Sequence, residues 1–431
     1  MPAPADARAG RAAFTHPAFV LFQIARFMIV AAMEMQAVAV GWQVYEITKR
    51  PLDLGFVGLA QFFPVILLFP IAGHASDRFE RRNVLSACYA GFAVCFALLL
   101  VLAHQKVHSM SAIYAVLIVL GVVRSFNGPA SRSILPQLVP QEHFPNAVAW
   151  NATTFQASTI LGPAFGGILY AAFHGPSVVY GVAMVTAIGA TLSTFRIKPG
   201  TKVRPREPMT MKTVFAGIHY IWNKKLVLGA ISLDLFAVLL GGAVALLPVY
   251  AREILHTGPW GLGLLRTAPG VGAAIMAVLL AHRPLRGKSG PTLLWAVAGF
   301  GVFTIIFGIS RNLIVSLLAL VLLGASDMIS VIIRATLTQL ATPDEMRGRV
   351  TAVDMIFIGT SNEFGQFESG VTAQWFGTVP AVVLGGIGTL VVIAVWAWLF
   401  PELRQAGELH AIKSTVLEEL GQVGAGGDPS S

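Results

Sequence analysis

The sequence predicts an all-α polytopic membrane protein, with twelve transmembrane helices in two pseudo-symmetric six-helix bundles. Three observations predict it. The composition is 55% hydrophobic and only 12% charged, with a mean hydropathy of +0.71, far from a soluble domain, in which about a quarter of residues are charged. Apolar windows of about 20 residues, long enough to cross a bilayer core, recur twelve times, beginning near Phe19, Leu54, Asn83, Met110, Ala147, Ser177, Leu226, Gly261, Pro291, Leu313, Val350 and Val379. The stretch LPQLVPQEHFPNAVA (Leu135 to Ala149) is echoed by LTQLATPDEMRGRVTA (Leu337 to Ala352), each after the fourth span of its half.

The chain divides accordingly into a cytoplasmic N-terminal segment (1–17), a first six-helix bundle (18–195), a cytoplasmic linker (196–225), a second bundle (226–402) and a cytoplasmic tail (403–431). Lys and Arg set the orientation, because they are retained in cytoplasmic loops. With the N-terminus inside, inner segments carry 21 of them and outer loops only Lys49, Arg50, Lys106, Arg252 and Arg311. That bias accounts for most of the net charge of +9, so the basic balance reports topology and no nucleic-acid partner is expected.

Span one carries Arg26 and Glu34, eight residues apart on one helix face. It is too long and too charged for a signal-peptide core. Span two ends in GHASDRFERR, with Asp77, Arg78, Glu80, Arg81 and Arg82 in six residues. The arginines orient spans two and three; Glu80 reads as a solvated loop charge or as a partner for them. Span three holds Cys88 and Cys95 seven residues apart on one face, which suits packing better than a disulfide. Span four carries Arg124. Span five places Ser158, Gly162, Gly166 and Gly167 on one face for close helix approach, with Pro163 able to bend it. In the linker, Val214, Phe215, Ile218, Ile221 and Trp222 recur at helical spacing beside lysines, predicting a helix on the membrane surface.

Span seven carries Asp234, Phe236, Gly241 and Gly242; span eight carries Arg266; span ten carries Asp327 and Arg334; span eleven carries Asp354, Glu363 and Glu368. An ionisable group at mid-bilayer costs about 2.5–3.5 kcal/mol on insertion scales and faces a cavity or a partner. Spans three, six, nine and twelve have apolar centres, whereas one, four, seven and ten are charged, as expected if the latter line a water-filled path. Arg26, Asp234 and Phe236 are then candidates for the cavity wall. The other reading is that some of these charges, among Asp234, Arg266, Asp354, Glu34 and Arg124, form buried ion pairs that fix packing. GKS at Gly287–Ser289 lacks the glycine that a phosphate loop needs five positions earlier, where His282 stands. HQKVH, with His104 and His108, reads as a solvated outer loop. No metal site, cofactor, ATPase subunit or enzymatic constellation is expected.

Three of these stretches resemble the motifs of one family. GHASDRFERR is similar to the loop signature of the major facilitator superfamily, Gly-x-x-x-Asp-Arg/Lys-x-Gly-Arg-Arg/Lys, with Glu80 in place of the second Gly. LGVVRSFNG resembles its exporter motif around an intramembrane Arg, here Arg124, with Asn127 where Gln is usual. STILGPAFGG resembles its antiporter motif through Gly162, Pro163, Gly166 and Gly167, with Ser158 for the first Gly. Longer stretches are similar to a twelve-helix exporter branch that includes enterobactin exporters and multidrug efflux proteins.

The resemblance implies a secondary active, proton-coupled exporter of amphipathic small molecules such as siderophores or drugs, working by alternating access in the cell membrane. It implies a conformational latch at Gly73, Asp77, Arg78, Arg81 and Arg82. Glu34, as acceptor for Arg124, is the first candidate for the coupling proton; Asp327 and Glu363 are rivals. An importer or facilitator of the same fold, or a sensor that kept the fold without transport, are the alternatives.

Overall fold

The computed structural model describes residues 10–107, 109–198, 211–283 and 287–407; the side chains of residues 69, 70, 74, 76, 77, 211–214 and 344 lie outside that description. Most of the expected N-terminal segment, the basic run of the linker, His108 and most of the tail also fall outside the described residues.

Every secondary-structure element among the described residues is helical. The first half contains α1 (Pro17–Thr48), α2 (Pro51–Arg78), α3 (Arg81–His104), α4 (Met110–Ile134), α5 (Phe144–Ala172) and α6 (Pro176–Phe195). Proline opens α1, α2 and α6, where its missing N–H is one of the unpaired donors of a helix start. Helix α1 stops at Lys49, whose φ of 53° is left-handed, and Pro51 begins the next helix two residues later. The linker contributes α7 (Met211–Asn223). The second half contains α8 (Lys225–Leu240), α9 (Gly258–His282), α10 (Ser289–Ile309), α11 (Leu313–Leu340), α12 (Asp344–Phe376) and α13 (Thr378–Leu399). Asn312 caps α11, its side chain accepting from the N–H of Ile314 at 2.9 Å and of Val315 at 3.3 Å.

Ten of the described helical stretches are long and apolar enough to cross a membrane. The two expected spans outside that set are α5 and α12, and both are long, with 29 and 33 residues. Their shortfall is polarity: α5 carries Asn146, Asn151, Gln156 and a run of Thr and Ser, and α12 carries Asp354, Glu363 and Glu368. The architecture is consistent with twelve spans. Trp295, Trp375 and Trp398 are each at least 75% exposed, a surface suited to lipid and interface rather than to water.

Contacts divide the protein into two units. The first is the described part of Met1–Met209 together with Ala245–Gly270; the second is the described part of Thr210–Val244 and of Val271–Ser431. Within the first unit α3 packs on α4 and α6, and α1 on α5 and α6; within the second α10 packs on α11 and α13, and α8 on α12 and α13. These are the same pairings at equivalent positions. Ala230, Leu233, Val297, Ile333, Leu337 and Val392 form the apolar centre of the second unit.

The seventh span is broken. Helix α8 ends at Leu240, Gly241 and Gly242 are not helical, and the chain resumes as a 3-10 turn (Ala243–Leu246), a short α turn (Leu247–Val249) and a π turn (Tyr250–Ile254). Two consecutive glycines account for the break, since they raise the cost of continuing the helix. Beyond it, Pro248 reaches Gly41, where an added Cβ would lie 3.3 Å from Pro248 Cγ. Arg252 Nη1 lies 3.5 Å from Glu46 Oε1, and its guanidinium sits 5.6 Å from the Trp42 ring centre. These contacts along the last third of α1 are why the segment belongs to the first unit.

Helix α7 packs on α12, where a Cβ at Gly217 would meet the Arg349 carbonyl at 2.8 Å, and Tyr220 Oη donates to the Ala341 carbonyl at 2.8 Å. It buries Ile221 and exposes Phe215 and Trp222. The side chain of Val214 is outside the described residues.

Candidate functional site

In the first unit, the α5 motif forms its bed against α1. A Cβ added at Gly162 would lie 2.6 Å from Glu34 Cβ and 3.0 Å from the Ala31 carbonyl, and one at Gly166 would lie 2.9 Å from Met35 Cα. Ser158, fully buried one turn earlier, donates to the Thr154 carbonyl at 2.8 Å. Gly167 meets α9 instead, where a Cβ would stand 2.7 Å from the Pro259 carbonyl and 2.8 Å from Gly263 Cα. A Cβ at Gly263 would in return stand 2.7 Å from the Pro163 carbonyl. Four small residues and a proline therefore bring three helix backbones together around Glu34.

Two cations act on the Glu34 carboxylate: Arg266 of α9 most strongly, then Arg124 of α4. The sequence reading expected Arg124 as the first partner; α9 is drawn in because Gly263 and Gly167 let it approach, and Arg266 follows Gly263 by three residues. Arg26, two turns from Glu34, is placed differently. Its Nη1 donates to Ser131 Oγ at 2.8 Å and its guanidinium lies 5.7 Å from the Phe155 ring centre.

The loop after α2 is fastened within the same unit. Arg81 Nη1 donates to the Ser133 carbonyl at the end of α4, and Arg82 Nη1 to the Ile197 carbonyl just past α6, both at 3.1 Å. Cations at helix C-termini meet the negative end of the helix dipole. Glu80 is a partner of this set: its Oε1 lies 3.3 Å from Arg82 Nη2 and its Oε2 accepts from Asn83 Nδ2 at 3.0 Å. Gly73 lies within α2 and Arg78 is exposed at its end; the side chain of Asp77 lies outside the described residues.

The second unit collects carboxylates. Arg334 of α11 lies 3.2 Å from Asp234 Oδ2 of α8 through Nη2, and 2.7 Å from Asp354 Oδ1 of α12 through Nη1. The Arg334 side chain is 5% exposed and that of Asp234 9%. Asp327, two turns before Arg334, lines a small cavity with Asp234, Phe300 and Ser330. The cluster thus holds three carboxylates and one guanidinium. Asp234 is an ion-pair partner of Arg334 that also lines this small cavity. Phe236 turns to α13, its ring 5.1 Å from that of Trp396, while Trp396 Nε1 donates to Ser232 Oγ at 2.9 Å. Glu363 is half-buried and accepts from Gln366 Nε2 at 3.4 Å; Glu368 accepts from Thr372 Oγ1 at 2.6 Å.

The sequence singled out each member of these clusters, but not that Arg334 bridges two acids. The available signal was spacing: Asp327 and Arg334, seven residues apart, share a face of α11.

The chain matches the transmembrane secretion effector family over residues 9–420. It is 26% identical over 398 residues to an enterobactin exporter, EntS, of Citrobacter koseri, covering 91% of this chain and 94% of that protein. Among solved structures it is similar to the nucleoside transporter NupG, with a TM-score of 0.69, 11% identity, and coverage of 89% of this chain and 100% of the other. A D-xylose–proton symporter gives a TM-score of 0.69 at 14% identity, covering 89% and 97%.

Proposed function

Because the chain belongs to the transmembrane secretion effector family of the major facilitator superfamily, and is thus a multi-pass membrane transporter of small molecules, we propose that it is a proton-coupled exporter. It exchanges protons for amphipathic small molecules such as siderophores or drugs, by alternating access. Similarity to proteins named as enterobactin exporters supports the direction and the kind of cargo. Both termini are assigned to the cytoplasm on the Lys and Arg bias.

The observation that carries the proton part is the charge balance of the second unit. Arg334 engages Asp234 and Asp354, while Asp327 lines a small cavity beside Asp234 and has no ion pair of its own among the described residues. An intramembrane carboxylate in that position is suited to hold and release a proton. Arg266 and Arg124 both lie in the field of Glu34, and we assign Glu34 to holding α1, α4 and α9 together. Glu363 is the second proton candidate. The latch role of Asp77 rests on the loop signature alone.

Reconstitution tests this reading. Protein in liposomes under an imposed pH gradient should move at least one compound from a panel of siderophores, macrolides, tetracyclines and lipophilic cations. Asp327→Asn should abolish gradient-driven movement while Glu34→Gln retains it. If no compound moves, proton-driven export is wrong; if Asp327→Asn keeps its coupling, the proton belongs to Glu34 or Glu363.

A further inference from the structure

Among the described residues, four arginines of the spans have acidic neighbours. Arg124 and Arg266 act on Glu34, Arg252 pairs with Glu46, and Arg334 pairs with Asp234 and Asp354. Among the described residues the contacts of Arg26 are neutral: the Ser131 hydroxyl and the Phe155 ring. The titratable groups whose fields reach it are the buried Tyr89 phenol of α3, which is neutral, and then another cation, Arg132. Its Nε is buried and has no hydrogen-bond partner. A guanidinium stays ionised at any physiological pH, so this site holds a permanent positive charge with no counter-charge among the described residues.

The polar atoms around it are also incomplete. Gln23, one turn before Arg26 on α1, is 5% exposed, and neither its Nε2 nor its Oε1 has a partner. Asn127 on α4, one turn before Ser131, and Asn151 on α5, one turn before Phe155, each have a buried Oδ1 without a partner. Residues three or four apart share a helix face, so all three amides stand on the faces that converge at Arg26. Buried polar groups are ordinarily paired. Ordered water could serve the amides, but water does not neutralise the guanidinium. Phe155 is 45% exposed beside the cation, which leaves ring surface for an apolar group. Everything named here lies in the first unit.

We propose that Arg26, with Gln23, Asn127 and Asn151, binds an oxyanion of the transported molecule, a carboxylate or an ionised phenol, and that Phe155 receives the aromatic or apolar body attached to it. The planar fork of the guanidinium matches two oxygens of one anionic group. The amide donors of Gln23, Asn127 and Asn151 take further oxygens, and their carbonyl oxygens accept from hydroxyls beside the anion. The inference rests on the transport reading above and makes the preferred cargo an amphipathic anion.

The test compares three isosteric probes, 1-naphthoate, 1-naphthalenemethanol and 1-naphthylmethylammonium, by calorimetry on the full chain in nanodiscs of zwitterionic lipid. Naphthoate should bind at least about tenfold tighter than the other two. Arg26→Gln should remove that preference while changing the affinity for the alcohol by less than about twofold. Should that variant fold poorly, Arg26→Lys, which keeps the charge, should retain the preference, and Phe155→Leu should weaken naphthoate and the alcohol alike.

Equal binding of the three probes, no binding below about 10 mM, or a preference indifferent to Arg26→Gln would overturn the proposal. So would loss of naphthoate binding on adding phosphatidylglycerol, which would give the site to a lipid headgroup. Gradient-driven transport measured on the same preparation separates the two readings. Transport without anion preference sinks only the anion site; anion-selective binding without transport sinks only the export function.

Discussion

Arg334 holds two carboxylates at once, with Asp234 at 3.2 Å on one arm of its guanidinium and Asp354 at 2.7 Å on the other. Removing it leaves one buried and one half-buried acid without compensation, and breaking a buried pair costs about 3–5 kcal/mol. Arg334→Met should therefore sharply lower the melting temperature of the purified protein. Adding Asp234→Asn and Asp354→Asn to that variant should restore most of the loss, since neutral amides need no cation. An Arg334→Met protein as stable as wild type would show that the acids are not held by this arginine.

Two glycines should respond oppositely to alanine. At Gly162 the new Cβ meets Glu34 Cβ at 2.6 Å, and overpacking of this kind costs about 1–3 kcal/mol. At Gly128, inside α4, nothing lies within 4 Å of the added atom, so alanine should gain about 0.5–1 kcal/mol from its better helix propensity. Thermal unfolding of the two variants side by side measures the difference.

The contact between Arg252 and Glu46 should matter little to stability. The Arg252 and Glu46 side chains are 29% and 47% exposed, and such pairs are worth at most about 1 kcal/mol; the Trp42 ring adds about 0.5–1 kcal/mol. Arg252→Gln should lower the melting temperature slightly, by an amount that shrinks at high salt because the pair is screened.

Cys88 and Cys95 should be inert in the folded protein. They are 6% and 0% exposed and neither is in a disulfide, and reaction requires an accessible thiolate. A membrane-permeant maleimide should label neither until the protein is unfolded; prompt labelling of Cys88 would mean that this face of α3 borders an open cavity.

Much of this molecule is readable from the chain. Proline at the start of α1, α2 and α6 and the spacing of apolar windows locate the helices, because a bilayer requires long helical runs with internally satisfied backbones. The small residues of α5 announce close packing in the same way. Less is legible where polarity accumulates: α12 carries five acids and still forms a 33-residue helix, with Asp354 held by Arg334 of α11 and Glu363 and Glu368 hydrogen-bonded within the helix. The break at Gly241 and Gly242 was visible as a pair of glycines, but not the consequence that Ala245–Gly270 packs with the first unit.

The candidate site shows the same division. Sequence alone determined which residues are charged within the spans and which of them share a helix face, because helical periodicity is a local property. Tertiary structure decided their company: Arg334 between Asp234 and Asp354, Glu34 beside Arg266 as well as Arg124, and Arg26 against Ser131 and Phe155. The physical reason is range. A helix fixes the direction of a side chain over a few residues, whereas the neighbour it meets depends on which backbones approach, and that is set by glycine contacts and packing between segments far apart in the chain.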